Sequence, residues 1–193
     1  MKKADNVWWT RKAKIENEAR LLRYDFHGQI LLLWYSFISV AMSILTLSES
    51  SFLKKTIGNS AIDSQLLVVF SVLSLFVSTF VISQNFKERA ARIKDSYEQL
   101  KHLYEKLKDN ENSEDIQKKL FEEYEIILKN SENHLEKDYI TAKVNCYLSA
   151  DDKQKISPHP TRYDFRRYVY NKSIYYVIIS SIYLFPILIL FFT

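Results

Sequence analysis

Three long apolar runs constrain what this chain can fold into more than any other feature of the sequence. Ile30–Leu47, Leu66–Ser83 and Ile174–Phe192 contain no Asp, Glu, Lys, Arg or His. Each is close to the roughly 20 residues that a helix needs to cross a bilayer. A core helix of a soluble protein normally has a polar face, and none of these runs has one wider than a stripe of serines. We therefore predict an all-α membrane protein with three spans.

The second run continues into a charged segment without a Gly or Pro until Lys108. Apolar residues in this segment recur at alternating steps of four and three, which is the spacing of a coiled-coil seam. The seam residues are Phe86, Ala90, Ile93, Tyr97, Leu100, Tyr104 and Leu107. We predict one helix over 66–108, roughly 65 Å long, whose heptad face is suited to oligomerisation.

The segment before the first run predicts an amphipathic helix that continues into the membrane, over 7–47. Its predicted apolar face consists of Trp8, Ile15, Ala19, Leu22 and Phe26. Because the connector 48–65 is short, the first two spans are predicted to be antiparallel neighbours in a long hairpin, with paired cytosolic extensions.

The rest of the chain predicts two cytosolic helical stretches within 113–150 and a third span over 174–192. Ile116, Leu120, Tyr124 and Ile127 form the expected buried stripe of the first stretch. Asn130-Ser131 is an expected interruption, and Pro186 is expected to bend the third span. By length, 1–193 is expected to form a single domain.

Lys and Arg concentrate before the first span and between the second and third spans. The positive-inside rule therefore predicts a cytosolic N-terminus and a cytosolic middle segment, with the connector and Thr193 outside. Anionic lipid is the expected partner of the basic faces.

Motifs for enzymatic chemistry are missing from the sequence. With two glycines and one cysteine, the chain has no Gly-rich phosphate loop, no Cys pair for zinc and no nucleophile elbow. We expect neither enzymatic activity nor a cofactor. The uncharged spans also argue against a pump or ion-coupled transporter, since these place ionisable groups in the membrane.

Small hydroxyl side chains form stripes on the first two spans. Ser36, Ser39 and Ser43 repeat at steps of three and four, and so do Ser71, Ser74 and Ser78. One interpretation is close packing of the hairpin, because small residues let helices approach. The other is a polar wall of an oligomeric pore.

Two polar groups of residues stand out in the cytosolic part. Glu132, Asn133, His134, Asp138 and Tyr139 form the densest cluster; two potential ligands are too few for zinc, so a structural hydrogen-bond cluster is the favoured interpretation. Arg162, Arg166, Arg167 and Lys172 alternate with tyrosines directly before the third span. Such a belt is typical of a membrane anchor. Single-stranded nucleic acid is the less favoured ligand.

Three stretches together resemble one protein family. They are WWTRKAKIENEARL from Trp8, FKERAARIKDSYEQLKHLYEKL from Phe86 and YEIILKNSENHLEKDY from Tyr124. They are similar to the SLATT proteins, the SMODS- and SLOG-associating two-transmembrane effectors, and most to the fifth subfamily. The most specific match is Tyr124 together with the cluster from Ser131 to Tyr139.

The resemblance implies an effector of a prokaryotic anti-phage conflict system, proposed to form pores and to kill or arrest the infected cell. It implies a partner encoded nearby, a nucleotide-signalling enzyme or a reverse transcriptase, and no catalytic residue. The family is defined by two spans, whereas this chain has a third. We expect a homo-oligomeric pore gated by a cytosolic activator, or alternatively a non-conducting adaptor that tethers an enzyme or nucleic acid to the bilayer.

Overall fold

The computed structural model describes residues 3–47, 60–110 and 112–192, and no strand occurs among them. Six α-helices follow one another there: α1 Lys3–Leu47, α2 Ser60–Gln84, α3 Phe86–Asp109, α4 Glu114–Lys129, α5 Glu136–Ser149 and α6 Arg162–Phe192. A 3-10 turn, Lys153–Lys155, precedes α6. Stretches of α1, α2 and α6 are long and apolar enough to cross a membrane. The predicted all-α class with three spanning helices is confirmed.

The chain divides into two compact units. The polar unit comprises Met1–Arg23 and Phe86–Ser173, and the apolar unit comprises Tyr24–Asn85 and Ile174–Thr193. Helices α1 and α6 therefore contribute residues to both units. Most of the connector that we predict to lie outside the membrane, residues 48–59, falls outside the described residues.

The predicted unbroken helix over 66–108 is wrong at one residue, because Asn85 separates α2 from α3. Asn85 has a φ of 46°, and its N–H donates to the Ile82 carbonyl at 3.3 Å. Asn is one of the few residues other than Gly that adopt this left-handed conformation readily, because its short polar side chain bonds locally. Neither Gly nor Pro marks this break in the sequence, so the helix was predicted to be continuous.

The predicted seam of α3 forms part of the core of the polar unit. Ala90, Ile93, Leu100 and Leu107 are buried, with Ser96 and Leu103 completing the stripe, while Phe86, Tyr97 and Tyr104 are only partly buried. The end of the seam packs against Val7 of α1 and against Leu120, Tyr124 and Ile127 of α4. Each leucine buried there stabilises the unit by about 1.5–3 kcal/mol. This part of the seam is therefore satisfied within one chain and leaves no free heptad face for assembly.

The buried face of α1 differs from the predicted one. Leu22 and Phe26 are 44% and 59% exposed, whereas Val7, Lys14 and Leu21 are 0–1% exposed. These three positions are seven residues apart, and the spacing continues to Gly28, Tyr35 and Met42, all buried. The apolar pattern failed here because the true stripe contains polar residues, which find partners elsewhere in the polar unit.

In the apolar unit, α1 and α2 pack through small and apolar side chains. A Cβ added at Gly28 would lie 3.0 Å from a methyl carbon of Val81, so the glycine allows a close approach of the two helices. Further along α1, Ile38 and Met42 pack around the buried Phe70 of α2. The contacts run in opposite order along the two helices.

Most of the other large apolar side chains of α1 and α2 in this unit point outward. Leu33, Phe37, Leu75, Phe76 and Ile82 are each at least 66% exposed. Such a surface is incompatible with water but matches hydrocarbon. The outer surface of the apolar unit is therefore that of a membrane protein.

Pro186 lies inside α6, and the helix continues past it to Phe192. Proline has no N–H, so the carbonyl four residues earlier, that of Ile182, loses its helical donor. The Tyr35 hydroxyl donates to this carbonyl at 3.1 Å, and the Trp34 indole N–H donates to the neighbouring Tyr183 carbonyl at 3.1 Å. Side chains of α1 thus replace the backbone donor at the proline, as apolar surroundings require.

Replacing Tyr35 by Phe should lower the free energy of unfolding by about 1–3 kcal/mol, because the Ile182 carbonyl loses its donor in apolar surroundings. In a Pro186→Ala background the loss should shrink, since the backbone N–H of residue 186 is restored. Reversible unfolding in detergent micelles, followed by circular dichroism, measures both.

The matched control is Tyr176→Phe, because that side chain is 57% exposed; it should change stability by no more than about 0.5 kcal/mol. Equal losses for Tyr35→Phe in the two backgrounds would contradict the role given to this hydroxyl.

Candidate functional site

The loop between α4 and α5, residues 130–135, is tied to α1 by a buried ammonium. Lys14 is fully buried, and its Nζ donates to the Ser131 hydroxyl at 2.7 Å and to the Glu132 carbonyl at 2.9 Å. Burying a cation is unfavourable unless hydrogen bonds compensate, so this pair of acceptors must stay in place whenever Lys14 is charged. The loop that carries the predicted cluster is therefore fixed by a residue 117 positions earlier.

Burial also changes the acid–base behaviour of Lys14. It lowers the pKa of the ammonium from 10.5 to about 8, although the Glu132 carboxylate opposes the shift. At pH 7 the group remains largely protonated, and it titrates close to the physiological range.

A second buried contact joins α1 to α5. The Arg20 guanidinium donates to both carboxylate oxygens of Asp138, at 2.7 and 3.0 Å, and to the Asn17 side-chain oxygen at 2.6 Å. Asp138 also accepts the Leu135 backbone N–H at 2.9 Å, just before α5 begins. A carboxylate at this place is favoured by the helix dipole, and the bidentate geometry fixes its direction.

A third contact of this region, the ion pair between Arg89 and Glu132, joins α3 to the loop. Arg89 donates to both carboxylate oxygens of Glu132, at 2.9 and 2.6 Å. The hydrogen bonds from Arg89 hold the pKa of Glu132 below its usual value. Both side chains are more than a third exposed, so solvent screens this pair and it contributes little to stability.

Three residues of the family-matching motif line a pocket in the polar unit. Its volume is about 220 Å³, and its walls come from α1, the loop and helices α4 and α5. The lining residues are Asn6, Trp9, Thr10, Tyr124, His134 and Tyr139.

The walls of this pocket are held by contacts of their own. The Trp9 indole N–H donates to the Ser157 carbonyl at 2.8 Å, and the Trp9 ring meets that of Tyr139 edge-on at 5.9 Å. The hydroxyls of Thr10 and Tyr124 share a hydrogen bond of 2.7 Å. The aromatic surfaces are therefore positioned before any ligand arrives.

His134 is neutral in this environment. Burial lowers the pKa of the imidazole, as does the Lys14 ammonium, while Asp138 opposes them. Its Nδ1 is buried and makes no hydrogen bond within the described part of the chain.

The structure brings together most of the predicted cluster but gives its members different surroundings. Tyr124, His134 and Tyr139 line the pocket, Asp138 binds Arg20, and Glu132 turns towards Arg89. Asn133 is exposed. The cluster was expected to be a structural hydrogen-bond network, and Asp138 and Glu132 do take part in ion pairs.

Sequence reasoning missed four of the residues that build the site, which are Asn6, Lys14, Arg20 and Arg89. One signal was available for α1. Lys14 lies at the heptad position of Val7 and Leu21, and Asn17 lies three residues after Lys14 and four before Leu21, on the same face. A polar residue on such a face is unfavourable without a partner. The identity of that partner could not be read from the sequence.

The serine stripes divide between two environments in the apolar unit. The hydroxyls of Ser39 and Ser74 are buried and make no hydrogen bond among the described residues. Ser36, Ser43 and Ser71 are exposed, and Ser78 is partly buried. The Ser71 hydroxyl donates to its own helix, at the Leu67 carbonyl, at 2.8 Å.

The predicted basic belt lies at the start of α6. Arg162, Arg166 and Lys172 are exposed, whereas the Arg167 guanidinium donates to the Tyr163 hydroxyl at 3.1 Å and lies 4.0 Å from the Glu136 carboxylate.

Beneath the belt, the start of α6 is fixed by a buried carboxylate. The Lys143 ammonium donates to Asp164 at 2.9 Å, and the Thr161 backbone N–H donates to the same oxygen at 2.7 Å. Burial by itself would raise the pKa of Asp164, but these hydrogen bonds outweigh it and lower the pKa. The exposed cations of the belt therefore lie on a helix whose first turn is held in place by these hydrogen bonds.

Replacing Asp138 by Asn should lower the free energy of unfolding by about 3–5 kcal/mol, because it removes the charged partner from a bidentate ion pair whose side chains are only 12% and 3% exposed. Glu88→Gln is the matched control: it also converts a carboxylate into an amide, but the partner Arg92 is 76% exposed. The control should change stability by no more than about 1 kcal/mol. Urea unfolding in detergent checks this, and equal effects of the two changes would contradict the structural role of Asp138.

Lys14 predicts a pH dependence with a defined sign. In the unfolded chain the ammonium titrates near 10.5, and in the folded chain near 8. Between these values the unfolded chain binds more protons, so this contribution to stability should rise with pH from about 8 to 10.5. It is lost as the pH falls from 10.5 to about 8, and below that pH it should no longer change.

The gain should reach up to about 3 kcal/mol relative to a Lys14→Met variant, which has no titrating group at this position. Urea unfolding of both proteins at pH 7, 8.5 and 10 tests this. Parallel pH profiles would contradict the lowered pKa.

The chain was compared with known proteins and families. No curated protein and no solved structure matches it. One family model matches residues 1–193, the whole chain, and it describes the SMODS and SLOG-associating 2TM effector domain family 5. The match includes both units, the pocket and all three apolar helices, and the family description names a membrane effector. The chain therefore belongs to the fifth SLATT family.

Proposed function

We propose that this chain is a pore-forming effector of a prokaryotic antiviral conflict system, which kills or arrests the infected cell once it is activated. Membership of a membrane effector family supports this proposal. The observation that carries the pore itself is the position of Ser36, Ser43 and Ser71 on the outer surface of the apolar unit. In an assembly of several copies these exposed hydroxyls can line a path for water, because a pore wall needs polar groups but not charges.

Because some of these serines have buried hydroxyls and others are exposed, the two stripes can serve both helix packing and a pore. Ser39 and Ser74 are buried inside the apolar unit, where small side chains allow close helix packing. The exposed serines remain for contacts between copies or with water. Because the end of the α3 seam is occupied within one chain, we propose that homo-oligomers assemble through the outer faces of the spanning helices.

Activation is proposed to begin in the polar unit, on the cytosolic side of the cell membrane, with the C-terminus outside. The positive-inside pattern supports this orientation. A cytosolic activator that binds the polar unit would act on α1 and α6, which continue into the apolar unit. A reverse transcriptase or a nucleotide-signalling enzyme encoded nearby is the proposed source of that activation. Direct nucleic-acid binding is not part of the proposal.

The pore proposal predicts different effects for two similar serines. Ser71 and Ser181 are both exposed, and each hydroxyl donates to the carbonyl four residues earlier at 2.8 Å. Only Ser71 belongs to the predicted pore stripe. Ser71→Val should therefore reduce single-channel conductance in planar bilayers about twofold or more, whereas Ser181→Val should leave it unchanged.

Dye release from liposomes, with and without the product of the neighbouring gene, gives the companion measurement. The wild-type chain should release dye and arrest the growth of a bacterial host when activated. Absence of both leakage and growth arrest with every neighbouring gene product would refute the pore.

The second candidate function is a non-conducting adaptor, favoured by the exposed cations of Arg162, Arg166 and Lys172 at a rigid helix start. If the chain is an adaptor, replacing these three residues by Gln should abolish co-sedimentation with membranes of the enzyme that the neighbouring gene encodes. Neither the wild-type chain nor the variant should release dye from liposomes. The matched control is Lys101→Gln, an exposed cation on α3. Retained recruitment in the triple variant would exclude the adaptor function for this surface.

A further inference from the structure

We propose that the pocket of the polar unit binds an uncharged, planar heteroaromatic ring whose edge forms hydrogen bonds. The pocket lies outside the spanning segments and combines aromatic walls, a small volume and hydrogen-bonding groups without formal charge.

The volume limits the ligand to a single ring system. Pockets for drug-sized molecules are typically about 300–1,000 Å³, whereas this one is about 220 Å³. One ring or two fused rings fit such a space, and larger ligand parts must remain outside it.

The aromatic walls favour a flat ligand. Trp9, Tyr124 and Tyr139 supply three of the six lining side chains. Ring pairs in offset or edge-to-face arrangements contribute about 0.5–1.5 kcal/mol beyond the burial of their area. Because the Ser157 carbonyl already holds the Trp9 indole, little side-chain freedom remains to be lost on binding.

The polar groups of the lining favour a ring with hydrogen-bonding atoms on its edge. The Asn6 amide offers both a donor and an acceptor. Thr10 and Tyr124 have two O–H groups between them, and their mutual hydrogen bond uses only one. The other hydroxyl hydrogen is therefore free to donate to a ring nitrogen or carbonyl oxygen.

The charge state of the lining excludes an ionised ligand part. Five of the six lining residues have no charge at neutral pH, and the sixth, His134, is neutral because burial lowers its pKa. The buried Lys14 ammonium does not line the pocket and donates to Ser131 and Glu132. A phosphate or carboxylate inside the pocket would find no Lys or Arg among the lining side chains to bind it directly.

Isothermal titration calorimetry on the full chain in nanodiscs tests the inference, with free adenine as the probe. Adenine should bind with a dissociation constant of about 1 mM or tighter, while toluene, which has the flat ring but no hydrogen-bonding edge, should bind at least about tenfold more weakly. Inorganic phosphate should not bind in the pocket and should not compete with adenine.

Variants locate the binding. Asn6→Leu changes an exposed rim residue, so the fold should persist, and adenine affinity should fall at least about fivefold. Asn112→Leu is the matched control, because it changes an exposed asparagine in the turn before α4. It should leave the affinity unchanged.

Binding of adenosine monophosphate tests whether the pocket accepts the ring as part of a nucleotide or only as a free base. Binding of both adenine and the nucleotide supports a ring presented by a nucleotide with its phosphate outside, and binding of adenine alone supports a free ring. Binding of the nucleotide without adenine overturns the inference, as does the absence of adenine binding up to about 10 mM. So does adenine affinity that is equal to that of toluene or unaffected by Asn6→Leu. None of these results depends on pore formation, so the pocket and the pore can fail separately.

Discussion

The polar unit depends on a cation that the chain places inside it. Lys14 is fully buried on α1 and has to meet acceptors, which the loop after α4 supplies through Ser131 and Glu132. About one and a half turns further along α1, the Arg20 cation also needs a partner and forms an ion pair with Asp138. These contacts fix the loop, and the fixed loop supplies His134 to the pocket. Buried charges therefore specify the shape of the site, whatever their net effect on stability.

The apolar unit obeys a different constraint, which is that every backbone group in hydrocarbon needs a partner. Pro186 leaves the Ile182 carbonyl without its helical donor, and Tyr35 supplies one from another helix. The proline thus couples the third spanning helix to the first through a specific hydrogen bond. Outer surfaces of the unit remain apolar apart from serine hydroxyls, which is why assembly of several copies is the natural next step in the proposed function.

Both constraints bear on activation. The proposed pore requires contacts between copies, and the exposed serines are the residues proposed to make them. The proposed ligand pocket lies where α1, the loop 130–135, α4 and α5 meet. Its His134 side chain is under the electrostatic influence of Lys14, whose pKa is about 8. A ligand there would bear directly on the packing of α1 against the loop, and α1 is one of the two helices that contribute to both units.

The sequence by itself determined the helical class, the three spanning stretches, the α3 seam and the residues of the motif cluster. These follow from local rules, because apolar length and heptad spacing act through nearest neighbours on one helix. Tertiary structure decided three things that local rules cannot show. It placed polar Lys14 and Asn17 on the buried face of α1. The acceptors of Lys14 lie 117 and 118 residues away, and Asn17 accepts from Arg20, whose carboxylate partner Asp138 lies 118 residues away. It broke the long helix at Asn85, because an asparagine adopts the left-handed backbone conformation at little cost in free energy. It also placed the Tyr35 hydroxyl of α1 beside the Ile182 carbonyl, which lacks its helical donor because of Pro186. The sequence could not show this, because the position of a donor in space does not follow from its position in the chain.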